Sequence, residues 1–204
     1  MQNTAPVDQT DPLKQSPFAF HSESEEVVVE LAQKLSDCQP RLTIFTIATL
    51  LKQFMDFFQE AYEYFDESTK ARVATSSSAE WLLDNLYMVE QAVRQIEEDL
   101  PADYYQRLPK TQKGWTRIYI VALSNAQTQE TRLDLEAIKS FLQIFQEVTP
   151  LSTGELWALP SMLRLAVLES LAEALAPVTR RTWEFAQHPD VWEGRDGAPA
   201  PAPD

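Results

Sequence analysis

Glycine is scarce in this chain of 204 residues, which contains only four glycines. They stand at Gly114, Gly154, Gly194 and Gly197 and form no glycine-rich cluster. Phosphate-binding loops need closely spaced glycines so that backbone N–H groups can approach the phosphate oxygens. The sequence therefore argues against nucleotide binding through such a loop.

Cysteine and histidine are also rare, with one cysteine and two histidines. The single thiol, Cys38, cannot form an internal disulfide, and two imidazoles cannot build a histidine-rich metal site. His21 and His188 lie in predicted end segments, and the sequence lacks the G-x-S-x-G motif of serine hydrolases. We therefore expect no metal site, no cofactor and no catalytic residue.

Long apolar runs are absent as well. The longest ones, around residues 42–51 and 156–168, are short or interrupted by polar residues and Pro160, whereas a membrane-spanning helix needs about 20 apolar residues. The first residues carry Asp and Pro where a secretion signal has a positive segment followed by an apolar one. We expect a soluble chain with no direct membrane span.

Acidic residues outnumber basic ones, 31 against 17, and the net charge is −14. Most of the acidic excess lies in the first half of the chain. An acidic surface repels nucleic acid and anionic lipid. We expect neither as a direct partner and attribute the charge mainly to solubility.

Helical periodicity is the main pattern that the sequence does contain. Apolar residues recur every three or four positions at 23–35, 41–65, 79–98, 116–126, 134–148, 152–171 and 178–187. Pro101 and Pro109 bracket a further short element. We predict an all-α fold with a single domain of about six to eight helices at 23–188. A flexible arm at 1–22 and a Pro/Ala-rich linker or tail at 189–204 would flank it.

The last long helix carries three signals of its own. Ser152 followed by Glu155 is a capping box, and Pro160 is expected to kink the helix or end its first segment. Arg164 lies within the apolar run and needs an acidic partner if it is buried. The candidate partners are Glu155, Glu169 and Glu80. We interpret Glu80, Glu155 and Arg164 as structural residues.

Two groups of charged side chains could carry chemistry, and each has a simpler explanation. Glu80 and Asp84 share a helix face, as an acid/base pair would, but acidic residues early in a helix also stabilise its dipole. A basic stretch could contact phosphate or a sugar nucleotide, but salt bridges to the acidic half of the chain are the commoner outcome. That stretch consists of Lys110, Lys113 and Arg117.

Aromatic residues form a third group that could stack on sugar rings. Their spacing favours a core with polar rims instead, so we do not expect sugar binding. The group comprises Trp81, Tyr87, Tyr104, Tyr105, Trp115, Tyr119 and Trp157. Asn85 lies in a helix interior, where an amide is usually exposed or bonded to a neighbouring loop.

Two segments together resemble a known family. Residues 78–110 read SAEWLLDNLYMVEQAVRQIEEDLPADYYQRLPK, and residues 151–169 read LSTGELWALPSMLRLAVLE. Between them stand R-x-Y at 117–119 and R-L-D at 132–134. In this order and spacing they resemble the N-terminal region of the cyclic β-1,2-glucan synthase family, over roughly residues 75–175 and more loosely over 23–188.

The resemblance implies a piece of a large bacterial inner-membrane protein. In that family an N-terminal helical region precedes a processive UDP-glucose glucosyltransferase, flanked by membrane spans, and a C-terminal glycoside-phosphorylase-like part. The D-x-D and Q-x-x-R-W patterns of sugar-nucleotide transfer do not occur in this chain. It also has Thr116 where the family pattern leads us to expect proline.

We therefore predict a non-catalytic N-terminal module, inactive alone, that serves the assembly or regulation of glucan synthesis. It would lie on the cytoplasmic side of the inner membrane through its parent protein. Its partner would be the catalytic domain of a glucan synthase or another protein subunit. The predicted interaction residues are Trp81, Asp84, Asn85, Tyr104, Tyr105, Arg117 and Trp157.

Two alternatives remain at this point. One is a free-standing helical adaptor, derived from such a synthase, that binds a protein through an exposed apolar groove. The other is an enzyme that uses Glu80 and Asp84 as an acid/base pair on a glucan.

Overall fold

The computed structural model describes residues 22–41, 46–70, 77–129 and 134–179. Within these ranges the chain forms seven helices and one pair of two-residue strands, and the predicted all-α class is confirmed. The helices are α1 (Ser22–Lys34), α2 (Ile47–Lys70), α3 (Ser77–Asp99), α4 (Ala102–Arg107), α5 (Arg117–Thr128), α6 (Leu135–Val148) and α7 (Thr153–Thr179). The strands β1 (Gln39–Pro40) and β2 (Pro109–Lys110) pair antiparallel. None of the described helices combines the length and apolar character that crossing a membrane requires.

The helices are distributed over two compact units. The two-helix unit contains α1 and α6, and the five-helix unit contains α2, α3, α4, α5, α7 and both strands. The predicted domain boundaries at 22/23 and 188/189 stay predictions. The second boundary, most of the arm and the whole tail lie outside the described residues.

The two-helix unit is formed by α1 packing against α6. Asp134 caps α6, because its side chain accepts a hydrogen bond from the Ala137 backbone N–H at 3.0 Å. Thr149 ends the helix, and its hydroxyl donates to the carbonyl of Ala32 at 2.7 Å. A capped start and a side-chain bond to α1 thus hold α6 at both ends.

Helix α5 is the most deeply buried element of the five-helix unit. Every residue from 117 to 126 is buried, and most of these residues are apolar, as is typical of a helix inside a core. It packs against α7, which also contacts α2 and α3. The five-helix unit is therefore built around the α5–α7 pair.

Helix α7 continues through Pro160 up to Thr179, so the prediction that Pro160 could end a first segment is wrong. A proline removes one backbone hydrogen bond, here to the carbonyl of Leu156. Leu156 is 41% exposed, so water can take the place of that bond. The separate helix predicted at 178–187 is also corrected. Its first two residues belong to α7, and the others lie outside the described residues.

A tight turn connects β2 to α5 and depends on Gly114. The Gly114 N–H donates to the Thr111 carbonyl at 3.1 Å, and the Thr111 N–H donates to the Trp115 carbonyl at 2.8 Å. Gly114 has a φ of 92°, in a region that residues with a Cβ atom rarely adopt. Glycine is therefore required here by the backbone.

We predict that Gly114→Ala lowers the free energy of unfolding by about 1 kcal/mol, because alanine is strained at positive φ. Gly154→Ala is the matched control. Gly154 lies in α7, and a Cβ atom there would meet its nearest neighbours at 3.8 Å. Urea unfolding of both variants is the measurement, and a Gly114→Ala protein as stable as the control would contradict the prediction.

Candidate functional site

A surface groove of about 570 Å³ lies on the five-helix unit. Residues of α7 at positions 153, 157, 161 and 164 line it, and this spacing places them along one face of the helix. Gly154 and Pro160 of the same helix, Asp99 at the end of α3 and Tyr104 of α4 complete the lining. Its volume is within the range of roughly 300–1,000 Å³ that is usual for small-molecule sites.

Trp157 is the most exposed large apolar residue of the groove, with 78% of its surface accessible. Three aromatic residues of the same predicted group are almost fully buried, namely Tyr105, Trp115 and Tyr119. A core of aromatic residues was expected, and these three confirm part of it. Trp157 is exposed, as are Trp81 and Tyr87 of the same group, but of these three only Trp157 lines the groove.

Asp99, Ser161 and Arg164 form a polar cluster in the groove. Asp99 Oδ2 accepts hydrogen bonds from Ser161 Oγ at 3.0 Å and from Arg164 Nη1 at 3.1 Å. Hydrogen bonds from Gln95 and Ser161, with the positive charge of Arg164 nearby, lower the pKa of Asp99. The carboxylate therefore stays ionised at neutral pH and offsets the guanidinium charge.

The partner of Arg164 is thus Asp99, and the three predicted partners are wrong. Arg164 is partly exposed. It stands nine residues after Glu155 and five residues before Glu169. At about 100° per residue, both glutamates point to the opposite side of α7. They are buried and bind other residues of the five-helix unit.

A buried ion pair joins α5 to the first turn of α7. Arg117 Nε and Nη2 donate to the two carboxylate oxygens of Glu155 at 2.7 and 2.6 Å. Glu155 also accepts from the Ser152 N–H at 2.9 Å, while Ser152 Oγ accepts from the Glu155 N–H at 3.3 Å. The predicted capping box is therefore confirmed, and its glutamate has a second role as the partner of Arg117.

Two further hydrogen bonds attach neighbouring helices to α7, and one of them lies at the groove. The Tyr104 hydroxyl donates to the Gly154 carbonyl and so attaches α4 to the first turn of α7. The Tyr119 hydroxyl donates to Glu169, which joins α5 to the middle of α7. Both bonds connect residues 50 positions apart in the chain. Such contacts hold the helices of this unit in a defined arrangement.

Lys110 is buried and caps the C-terminal end of α4. Its ammonium group donates to the carbonyls of Tyr105, Gln106 and Leu108 at 3.0, 2.9 and 3.1 Å. A lysine at a helix C-terminus satisfies carbonyls that lack intrahelical partners. Burial lowers the pKa of Lys110, whereas the three carbonyls favour its charged form. Lys110 and Arg117 are both buried and bind groups inside the five-helix unit. The basic stretch therefore does not form an exposed phosphate site.

The structure brings together only part of the predicted interaction surface. Tyr104 and Trp157 line the groove. Tyr105 and Arg117 are buried, so the prediction of a surface role for them is corrected. Their long side chains fill the interior and carry the contacts with Lys110 and Glu155.

The other three predicted residues, Trp81, Asp84 and Asn85, lie in the first half of α3 and do not line the groove. Trp81 and Asp84 are exposed. Asn85 has a non-helical backbone (φ −128°, ψ 16°) and kinks α3. Its side-chain amide donates to the Trp81 carbonyl at 2.8 Å, so it bonds to its own helix and not to a loop.

Sequence reasoning did not identify Asp99 and Ser161 as groove residues. Ser161 and Arg164 are three apart on α7 and share a face, which a helical wheel can show. The contribution of Asp99 has no local signal, because it stands 62 residues before Ser161 and reaches it only through the packing of α3 on α7.

The described part of the chain contains no group of three or more His, Cys, Asp or Glu side chains arranged to hold a metal ion. Cys38 is a free, half-buried cysteine. Burial raises the pKa of its thiol, which disfavours the thiolate that a nucleophilic cysteine needs.

We predict that Glu155→Gln lowers the free energy of unfolding by about 3 kcal/mol or more, because it leaves the buried Arg117 guanidinium without a counter-charge. Asp99→Asn is the matched control, since it neutralises one carboxylate of an exposed pair, where the loss should be about 1 kcal/mol or less. Thermal and urea unfolding measure the stability of both variants. Equal losses of unfolding free energy in the two would contradict the importance given to the buried pair.

We predict a loss of stability at alkaline pH through Tyr105. Burial raises the pKa of Tyr105 from 10.0 to about 12. Because the folded-state pKa lies above the unfolded-state value, this contribution is full below pH 10 and is lost as the pH rises through 12.

The expected loss is about 2–3 kcal/mol, and Tyr105→Phe should remove it. Urea unfolding of both proteins across this pH range is the measurement. Comparing the two cancels the titration of all other groups, and an identical alkaline decline in both would contradict the prediction.

Comparison with known proteins gives one informative match. The chain is 29% identical over 178 residues, or 85% of its length, to the cyclic beta-(1,2)-glucan synthase NdvB of Rhizobium meliloti (strain 1021). It spans 6% of the length of that relative. No family model matches the chain, and no solved structure matches it. The resemblance of this chain to one region of a cyclic β-1,2-glucan synthase, predicted from its motifs, is thereby confirmed.

Proposed function

We propose that this chain is a non-catalytic helical module of a cyclic β-1,2-glucan synthase-like glucosyltransferase and that it serves the assembly or regulation of glucan synthesis. The observation that carries the proposal is the similarity to NdvB over 85% of the chain. Because the matched region is 6% of that protein, the proposal assigns glucosyl transfer to the longer protein.

The state of the acidic residues supports a non-catalytic role. Glu155 and Glu169 are buried in contacts with Arg117 and Tyr119. Asp99 is held ionised by its hydrogen bonds and by Arg164, so it is a poor general acid. Glu80 and Asp84 are exposed on α3, away from the groove. The acid/base alternative thus lacks a cleft that would hold a glucan beside this pair.

The groove around Trp157 is the surface through which we propose that the module acts. Exposed tryptophans surrounded by polar side chains are typical of sites that contribute strongly to binding. Tyr104 and the Asp99–Arg164 pair provide such a surrounding. In this proposal the module lies on the cytoplasmic side of the inner membrane because its parent protein is anchored there.

The test replaces the matching region of the Rhizobium meliloti synthase with this chain and compares the chimera with a synthase that lacks the region. We expect membranes with the deleted protein to lose formation of cyclic glucan from UDP-glucose and membranes with the chimera to regain it. Immunoblots that show equal amounts of synthase provide the control for expression.

Normal glucan yield from the deleted protein would contradict the proposal and favour the free-standing adaptor. A chimera that is present in normal amount but makes no glucan would show that this chain does not perform the task of the matched region.

A further inference from the structure

We infer that the groove on α7 binds a neutral sugar chain and that its ligand is a β-1,2-linked glucose oligomer. The inference rests on the proposed function for the choice of linkage and on the geometry of the groove for the choice of a sugar. It reverses our expectation from aromatic spacing, because the structure separates Trp157 from the buried aromatic residues.

Trp157 provides the stacking platform that a pyranose ring requires. One face of a β-glucose ring consists mainly of C–H groups, and it gains by covering an exposed indole ring. Trp157 is 78% exposed, so most of its ring surface is available to a ligand. Its position in the groove places this apolar surface beside polar side chains.

Asp99 and Arg164 are suited to the hydroxyl groups of the same ligand. A sugar hydroxyl both donates and accepts hydrogen bonds, so it can donate to a carboxylate and accept from a guanidinium. The contacts of Arg164 with Asp99 and Ser161 use Nη1. Within the described residues, the donors on Nε and Nη2 have no hydrogen-bond partner and can serve a ligand. Charge-assisted hydrogen bonds of this kind are stronger than neutral ones.

The charge of the groove selects a neutral ligand. Asp99 and Arg164 are in contact at 3.1 Å and cancel each other, and the remaining lining residues are uncharged. The chain as a whole carries a net charge of −14, which disfavours phosphates, nucleic acids and acidic glycans. A neutral glucan avoids this repulsion and still satisfies both charged side chains.

The groove is also preorganised. Glu155 binds both Arg117 and the Ser152 N–H, and the Tyr104 hydroxyl binds the Gly154 carbonyl. These contacts fix the first turn of α7, from which Trp157 projects. A rigid platform reduces the entropy that a weak ligand must overcome.

The test measures sugar binding by the purified 204-residue chain directly. Saturation-transfer NMR and calorimetric titration with linear β-1,2-linked glucose oligomers should show binding, with a Kd of about 1 mM. Trp157→Ala should weaken binding by about tenfold or more, and Asp99→Asn should weaken it to a smaller extent. Tyr87→Ala is the matched control, because Tyr87 is 62% exposed on α3 and lies outside the groove. It should bind as the unaltered chain does.

Unfolding curves of each variant confirm that it is folded before binding is measured. The absence of binding, or equal binding by Trp157→Ala and the unaltered chain, would overturn the inference. Equal affinity for β-1,4-linked glucose oligomers would overturn the assigned linkage.

The result can be separated from the chimera experiment. A chimera that restores glucan synthesis, together with a chain that binds no oligomer, overturns the sugar site alone and leaves the proposed function supported. A chain that binds the oligomer while the chimera fails supports the sugar site and overturns the role in synthesis.

Discussion

The buried ion pair between Arg117 and Glu155 is the interaction on which the five-helix unit depends most. It joins the start of α5, the most buried helix, to the first turn of α7, the longest one. Two charges removed from water are stable only when both are paired and hydrogen-bonded. Glu155 meets this condition, because it binds the arginine fork and the Ser152 N–H and hydroxyl together. The same residue therefore caps α7 and fixes its position against α5.

The interior of this unit contains several polar groups, and two of them show how such groups are held, one by a partner distant in sequence and one by a helix end. Tyr119 reaches Glu169 on α7, and Lys110 reaches three carbonyls at the end of α4. Lys110, which the sequence offered as a candidate phosphate contact, is thus occupied by contacts inside the protein. The outer face of α7 is accessible, and Trp157 and the Asp99–Arg164 pair lie together there. The recognition role that we propose for this unit rests on that surface.

Much of the fold could be predicted from local patterns. The helices at 79–98 and 134–148 have almost the predicted bounds, since apolar periodicity and end signals such as Asp134 agree. The capping box at Ser152 was predictable for the same reason, because its two residues are three apart in the chain. Of the two outcomes predicted for Pro160, a helix end is ruled out, because a single lost hydrogen bond on an exposed helix face is tolerated within a long, well-packed helix.

The sequence by itself determined the all-α class, the helix ends with local caps and the resemblance to a cyclic β-1,2-glucan synthase, because each depends on residues close in the chain or on motifs in a given order. Only the tertiary structure decided that Arg117 is buried against Glu155, that Arg164 binds Asp99 and that Trp157 and Tyr104 line one groove. Those outcomes depend on which helix faces pack together, and side chains separated by 38 or 65 residues carry no local signal of their contact.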